Sequence, residues 1–223
     1  RIEGYPLGSV FAYTWGGLTH DTGIPQIKLN DGTLYTGAVS KLSPDEIHYR
    51  GTSVPPFFGS ISNSLKYKGF GLSFMFVYNF GHKIWDDQLT YWYDRTGGNF
   101  HNDFDKRWRQ PGDEEFTDIP SYLYTGKGRT YSYEKNLYMY GDIHVLNGAF
   151  IKLRELKFSY DLQPKACKAL RISGMSLYAQ TNNLFYIAAN KEGIDPEYAP
   201  YSNGSYRPEK MGPSWTLGLT VKF

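Results

Sequence analysis

The 223-residue sequence has little cysteine, little net charge and no long apolar run. Its single cysteine, Cys167, cannot form an intrachain disulfide, and without a Cys or His cluster beside it we interpret it as a bystander thiol. With 24 Lys and Arg against 22 Asp and Glu, the chain lacks the basic surface that binds nucleic acid. No apolar run approaches the roughly 18 residues of a transmembrane helix. Soluble proteins and β-barrels remain.

The start of the chain has no feature of a secretory leader. Arg1-Ile2-Glu3-Gly4 contains neither an initiator Met nor a charged segment followed by an apolar one, so we expect no signal peptide and an internal start. Aromatic residues make up 17% of the chain and charged residues 21%, which argues against disorder. We therefore expect a folded protein.

Apolar residues recur with a period of two wherever the pattern is strong, which predicts β-strands. Across Phe70–Phe80, one face is Phe, Leu or Tyr at every position and the other is small or mixed. A similar run ends at Tyr67, so Lys68-Gly69 between the two runs predicts a tight hairpin. Residues 214–223 show the cleanest alternation in the chain.

Three further strands are predicted from weaker patterns. In Phe150–Asp161 the apolar positions change parity near Arg154-Glu155, and a β-bulge there would restore a single apolar face. Residues 175–186 alternate in their first half, and residues 9–17 form a sixth candidate. We find no amphipathic helix of useful length.

Long and short connections alternate between these strands, as in outer-membrane barrels with short turns at one rim and long loops at the other. The connections are residues 18–57 (long), 68–69 (short), 81–145 (long), 162–172 (short) and 187–213 (long). A soluble antiparallel β-sandwich that binds carbohydrate is the alternative. Five aromatics on one face of Phe70–Phe80 favour the barrel, because a lipid-facing strand with aromatic ends has this composition.

Several stretches, in a common order, resemble the C-terminal part of the SusC/RagA-like TonB-dependent transporters of the Bacteroidetes outer membrane. They are residues 55–81, RWRQPGDE at 107–114, NGAFIKLRELKFSY at 147–160, LYAQTNNLF at 177–185 with Asp195-Pro196-Glu197, and the terminal strand ending in Phe223.

The resemblance implies an all-β fold, an antiparallel up-and-down transmembrane barrel of 22 strands, of which residues 1–223 supply about six at the C-terminal end. The plug domain would lie upstream and be absent from this chain. Extracellular loops are expected near 18–57, 82–144 and 187–213, and an even strand count places the start of the chain on the periplasmic side. Six strands would leave two open edges in lipid, so the remaining strands are required.

The implied function is multi-pass outer-membrane transport of a nutrient, an oligosaccharide or a peptide, without cofactor, metal or catalytic residues. The implied partners are the remaining strands and plug of the same transporter, a SusD-like surface lipoprotein as lid, the TonB complex acting through the plug, and outer-membrane lipid. A terminal aromatic, Phe223, is implied to be the signal for the barrel-assembly machinery.

Candidate site residues fall into two groups. The predicted lipid-facing residues are Phe70, Leu72, Phe74, Phe76, Tyr78, Phe80, Trp215, Leu217, Leu219 and Val221. The loop over residues 82–142 contains 14 aromatics and 11 of the 22 acidic residues, which is typical of a loop that binds or covers something. Its predicted ligand-binding residues are Trp92, Tyr93, Arg107, Trp108 and Arg109.

Each residue of this loop also has a structural interpretation, which we favour for the string 107–114: Pro-Gly forms a turn and Arg–acid pairs hold the loop. Asp113-Glu114-Glu115 are adjacent in sequence, which gives no sign of the spatial separation of glycosidase carboxylates, so glycoside hydrolysis ranks third. The five histidines lack the spacing of metal ligands.

Overall fold

The computed structural model describes residues 3–86, 102–121, 134–199 and 210–223. The strands in these residues are β1 (Ser9–Ala12), β2 (Trp15–Leu18), β3 (Pro25–Lys28), β4 (Leu34–Tyr35), β5 (His48–Thr52), β6 (Phe57–Tyr67), β7 (Phe70–Phe80), β8 (Lys83–Trp85), β9 (Val145–Asn147), β10 (Phe150–Asp161), β11 (Gly174–Ala188) and β12 (Ser214–Lys222). The α-helices are α1 (Glu134–Met139) and α2 (Pro164–Ala169). No helix of the described residues has the length and apolarity to cross a membrane.

The described residues divide into two compact units. One unit is formed by those within Arg1–Val54, Lys83–Asn147 and Ala199–Pro208. The other is formed by those within Pro55–His82, Gly148–Tyr198 and Glu209–Phe223.

The second unit is a five-stranded antiparallel sheet in the order β12-β11-β10-β7-β6. The predicted hairpin is confirmed: Tyr67 pairs with Phe70, and Lys68 and Gly69 both have positive φ, 47° and 89°. Two positive φ values give the turn a twist that matches the strands. Glycine is required at the second position, because a Cβ there would lie 2.7 Å from the carbonyl oxygen of Asp161.

The predicted bulge in β10 is also confirmed. The register of β10 shifts between Leu153 and Glu155 against both of its neighbours, so Arg154 is left out of the pairing. Leu153 lies opposite Phe76 and Leu156 lies opposite Phe74, and the apolar residues before and after the bulge therefore share one face.

The strand pairings place the long connections at one end of the sheet. Phe57 at the start of β6 pairs with Phe80 at the end of β7, and Phe150 at the start of β10 pairs with Ala188 at the end of β11. The opposite end has the two-residue turn and the segment that contains α2. The predicted alternation of long and short connections therefore holds for the five strands of this sheet.

The prediction of a sixth strand over residues 9–17 is wrong. That segment forms two short strands, β1 paired with β5 and β2 paired with β3, both in the first unit. The prediction is based on the alternation of Phe11, Tyr13 and Trp15 with smaller residues. In the structure Val10 and Ala12 are buried, and Tyr13, of the opposite parity, is buried as well and packs with Ile27 and Leu137 in the core of that unit.

Without this sixth strand, the chain enters the five-stranded sheet at a different end from the one predicted. The described residues before Phe57 lead into the end of the sheet that has the long connections, not the end with short turns, so the strand-count argument for the opposite end fails. Residues 18–57 are likewise not a loop between two strands of this sheet.

Candidate functional site

The five-stranded sheet has one apolar face. Phe70 lies opposite Tyr67 on one side and Tyr160 on the other, Tyr160 lies opposite Leu177, and Leu177 lies opposite Leu219. Directly opposed residues of antiparallel strands point to the same face, so this row is continuous across all five strands. The same face holds every position predicted to face lipid: Phe70, Leu72, Phe74, Phe76, Tyr78, Phe80, Trp215, Leu217, Leu219 and Val221.

This apolar face is open. Leu217 is 84% exposed and Trp215 is 70% exposed, and many other large apolar side chains of the face are exposed as well. Soluble monomers rarely expose contiguous apolar patches of more than a few hundred Å², and larger ones mark contact with a membrane or a protein. Aromatic rings are in contact at both ends: Phe70 and Tyr160 lie with centroids 4.6 Å apart in a tilted arrangement, and Tyr78 and Phe80 stack with centroids 5.2 Å apart.

The opposite face is polar. Its central row runs from Ser64 through Ser73, Lys157 and Gln180 to Thr216, again by direct opposition across the five strands. This row carries hydroxyl, amide and ammonium groups across all five strands, whereas the row from Tyr67 to Leu219 on the other face is apolar, so the sheet is amphipathic over its whole width.

A cluster of charged side chains lies on the polar face near the long-connection end. Lys152 in β10 is 3% exposed, and its Nζ donates to Asp195 Oδ2 at 2.8 Å and to the carboxylate of Glu197. Arg154, the bulged residue, donates to Glu197 and, at 2.8 Å, to Asn183 Oδ1. Buried charges require such pairing, since an isolated one would be strongly destabilising.

Aromatic rings surround the Lys152 ammonium. Its Nζ lies 5.3 Å from the ring centroid of Tyr198, 5.6 Å from that of Tyr186 and 5.8 Å from that of Phe150, distances at which the ring faces attract a cation. Burial by itself would raise the pKa of the Glu197 carboxyl, but hydrogen bonds from Lys152 and from Arg154 outweigh burial and lower it. The carboxylate form is therefore the stable one.

Sequence reasoning missed this charged cluster. The motif residues that form it were part of the resemblance, but no pairing was predicted, because Lys152 and Asp195 are 43 positions apart. One signal was available: Lys152 and Arg154 alternate with apolar Ile151 and Leu153 at the start of a strand, where a charge needs a partner.

The string 107–114 forms a loop in the first unit that is held by hydrogen bonds of its own side chains. Asp113 Oδ2 accepts the backbone N–H of Arg109 at 2.9 Å and that of Gln110 at 3.1 Å. The indole Nε1 of Trp108, a buried side chain, donates to Glu114 Oε2 at 3.0 Å. These contacts support a structural role for the string, in which the carboxylates accept backbone and indole N–H groups; the Arg–acid pairs expected from the sequence stay a prediction.

The two arginines of the string also bind within the loop. The Arg107 guanidinium lies 4.0 Å from the centroid of the Phe104 ring and donates to the Phe104 carbonyl oxygen. Arg109 Nη2 donates to the carbonyl oxygen of Asp105 at 2.9 Å. Ligand binding by Arg107, Trp108 and Arg109 stays a prediction. The other two predicted ligand residues, Trp92 and Tyr93, lie outside the described residues.

An ion pair joins this loop to an earlier turn. His20 Nδ1 and Glu114 Oε1 are 2.5 Å apart. The hydrogen bond with Glu114 raises the pKa of His20, and the hydrogen bond with His20 lowers the pKa of Glu114 to about 2. Packing adds to the ion pair, because Gly23, at a φ of 62°, lies against the Trp108 ring where a Cβ would overlap it.

Comparison with known proteins finds the same similarity to TonB-dependent receptors that the sequence motifs indicated. The chain is 28% identical, over 95% of its length, to TonB-dependent receptor P39 of Formosa agariphila, and it covers 21% of that protein. No protein-family model matches the chain.

Solved structures show the same fold. The chain matches the RagAB peptide transporter with a TM-score of 0.66 at 20% identity, over 96% of this chain and 22% of the other. It matches the RagAB peptide importer in the closed-closed state with a TM-score of 0.64 at 21% identity, over 98% of this chain and 25% of the other.

The resemblance stated from the sequence is therefore confirmed. Over nearly all its length the chain is similar to a TonB-dependent receptor, and its mostly β, antiparallel fold is that of a portion of the RagAB transporter. It spans about a fifth of the length of the curated relative that it matches.

Proposed function

We propose that the chain forms the C-terminal part of the wall, together with extracellular loops, of an outer-membrane TonB-dependent transporter that imports a nutrient. The observation that carries the proposal is the amphipathic sheet, whose exposed apolar face continues across all five strands from Tyr67 to Leu219. Only a lipid or protein environment removes such a face from water.

The dimensions of the strands fit a bilayer. β7 has 11 residues, which at roughly 3.4 Å per residue and a tilt near 45° span about 26 Å of membrane thickness. This matches the apolar band of outer-membrane barrels, which is about 25 Å tall. The aromatic pairs at the two ends of the face then lie at the two membrane interfaces.

The sheet is not closed, because β6 and β12 are its edge strands. An open edge in lipid leaves backbone N–H and C=O groups without partners, so both edges must pair with further strands of the same transporter. We propose closure into the 22-stranded barrel that the resemblance implies, with the plug in the part of the protein outside this chain and the lumen on the Ser64–Thr216 side.

The connections define the orientation. Outer-membrane barrels place short turns in the periplasm and long loops outside the cell, so the end with Lys68-Gly69 is periplasmic and the segments 18–57, 82–144 and 187–213 are extracellular. There they would enclose the nutrient and contact a SusD-like lipoprotein, while TonB acts through the plug. RagAB, a peptide transporter with the same fold, supports a peptide; the aromatic-rich loop also suits an oligosaccharide.

The soluble carbohydrate-binding β-sandwich is the second candidate. It would bury the faces of β7 and β12 in a core, whereas Leu217 and Trp215 of β12 are among the most exposed large apolar side chains of the described residues. We therefore favour the transporter over the β-sandwich.

The test is fractionation of the source cells. Outer membranes are extracted with detergent, the complex is purified through a tag, and every band on native and denaturing gels is identified by mass. A barrel of TonB-dependent receptor size together with a surface lipoprotein supports the proposal. Recovery of this chain as a soluble monomer without detergent would refute it and favour the sandwich.

A further inference from the structure

A groove lies on the apolar face over β10, β11 and β12. Its centre is Ala179, a small residue that lies opposite Phe158 on one side and Leu217 on the other. The row next to it, toward the end of the sheet with the short connections, is Tyr160, Leu177 and Leu219. Together the side chains of these two rows surround a groove of about 430 Å³ that is open to the outside of the sheet.

The depth of the groove matches one leaflet of a bilayer. Ala179 is five residues from Gly174, where β11 begins, which is about 17 Å along the strand and about 12 Å of depth at a tilt near 45°. One leaflet contributes half of a hydrocarbon core of roughly 30 Å. An acyl chain whose head group lies at the end with the short connections therefore reaches the groove.

The connection between β10 and β11, at this end of the groove, is basic. Residues 162–173 contain Lys165, Lys168 and Arg171 and no acidic residue. All three side chains are exposed, and within the part of the chain that the structure describes none of them forms an ion pair. Leu170 beside them is 60% exposed. Exposed basic and apolar side chains together are typical of a segment that lies at a membrane interface.

Two of the basic residues at this end have a left-handed backbone. Arg171, which follows the C-cap of α2, has a φ of 55°, a conformation that Gly or Asn usually takes at the end of a helix. Lys68 in the neighbouring hairpin has a φ of 47°, and its Nζ lies 5.1 Å from the ring centroid of Tyr67, a residue of the apolar face. The strain at Arg171 indicates a use for its guanidinium, and the contact of Lys68 holds a positive charge beside the apolar face.

We propose that the groove and the basic connection together bind one anionic phospholipid of the surrounding membrane. One acyl chain lies in the groove over Ala179, and the phosphate of the head group lies against Lys165, Lys168 and Arg171. Charge complementarity selects this lipid, because three cations without an acidic neighbour in the same segment attract a net negative head group and not a zwitterionic one. The inference rests on the proposed function, which places lipid on this face and the short connections in the periplasm.

Photocrosslinking in phosphatidylcholine vesicles tests the site in the complete protein. The probe is a trace of phosphatidylglycerol with a diazirine in one acyl chain, and the crosslinked peptides that contain Leu177–Ala179 or Leu217–Leu219 are quantified by mass spectrometry. Unlabelled phosphatidylglycerol or phosphatidylcholine with the same chains then competes. A phosphatidylcholine probe with the same diazirine chain is run in parallel.

Three variants separate the head-group contacts from the groove. Lys168→Gln/Arg171→Gln removes two charges from the basic connection. Lys66→Gln/Lys222→Gln is the matched control, because it removes two charges at the same end from residues of the polar face, opposite Gly71 and Gly174. Ala179→Leu fills the groove and leaves every charge in place.

Phosphatidylglycerol should compete about 100-fold better than phosphatidylcholine, since each Lys or Arg near an anionic lipid corresponds to about fivefold in affinity. Lys168→Gln/Arg171→Gln should lower this preference about 25-fold, and the control should change it less than about twofold. Ala179→Leu should lower crosslinking of both probes at least about fourfold, the equivalent of one buried methylene, and keep the preference. If a variant does not assemble, the competition in the unaltered protein still decides.

Equal competition by the two lipids, or an equal loss of preference in the two double variants, would overturn the site. So would a preference that an excess of inorganic phosphate abolishes and chloride of the same ionic strength does not, because the residues would then bind a free anion. These results leave the transporter standing. Absence of crosslinks from both probes is a different result, since it would show that no lipid covers the face, and it would refute the proposed function itself.

Discussion

Replacing Leu217 by Arg tests directly what lies against the apolar face. Leu217 is in the middle of β12 and 84% exposed, opposite Ala179. If lipid covers this position, Arg near the bilayer midplane costs about 2 to 4 kcal/mol, which is about 30- to 900-fold in the folding equilibrium. If water lies against this position, the substitution changes the free energy of unfolding by close to zero, because an exposed Leu buries little apolar area on folding.

The neighbouring position provides the matched control. Thr216 is on the polar face opposite Gln180, so Thr216→Arg places the same charge one residue away on the lumen side. We expect it to change stability by less than about 1 kcal/mol. The complete protein carrying each variant is reconstituted in vesicles and unfolded with urea, and its outer-membrane level is measured in parallel. Equal stability of the two Arg variants would refute the assignment of the faces.

Two further predictions follow from the bulge and from the His20–Glu114 pair. Deleting Arg154 should leave Leu156 opposite Phe74 and keep the outer-membrane level within about twofold, because Leu153-Glu155-Leu156 then alternates regularly. Inserting one Ala between Lys157 and Phe158 should move Phe158 to the polar face and lower that level at least about tenfold; equal levels of the two variants would contradict the register of β10. Because the pKa of His20 is raised, its contribution to folding stability is complete below its ordinary pKa of 6.5 and is lost as the pH rises through the raised value. The contribution of Glu114 to folding stability is present above its ordinary pKa of 4.5 and is lost as the pH falls through about 2. The Gly112 amide donates to Glu114, so its hydrogen-exchange rate, corrected for the intrinsic rate, should be slowest between pH 4.5 and pH 6.5. In His20→Gln the rise of this rate above pH 6.5 should disappear; a pH profile unchanged by the substitution would contradict the pairing.

The long strands could be predicted because each carries its pattern in consecutive residues. Strand β7, the turn at Lys68-Gly69 and the bulge at Arg154 all follow from which positions are apolar and where the parity changes. A strand with one apolar face has only one register that keeps that face continuous, so local sequence is sufficient.

Residues 9–17 show the limit of the same reasoning. The alternation of Phe11, Tyr13 and Trp15 with smaller residues predicts one strand, but the segment forms two short strands in which residues of both parities, Val10, Ala12 and Tyr13, are buried. The ion pairs of Lys152 and Arg154 could not be predicted for another reason. The partners of Lys152 and Arg154 are chosen by the fold of a segment more than 40 residues further along the chain.

The placement of the long connections at one end of the sheet determines which changes in length the protein tolerates. Residues inserted or exchanged after Phe80 or Ala188 lie between strand ends and leave every cross-strand pair in place, whereas one extra residue inside β7 would invert the faces that follow it. Relatives can therefore diverge in ligand preference by exchanging whole loops at this end. The wall and its two short turns can stay the same.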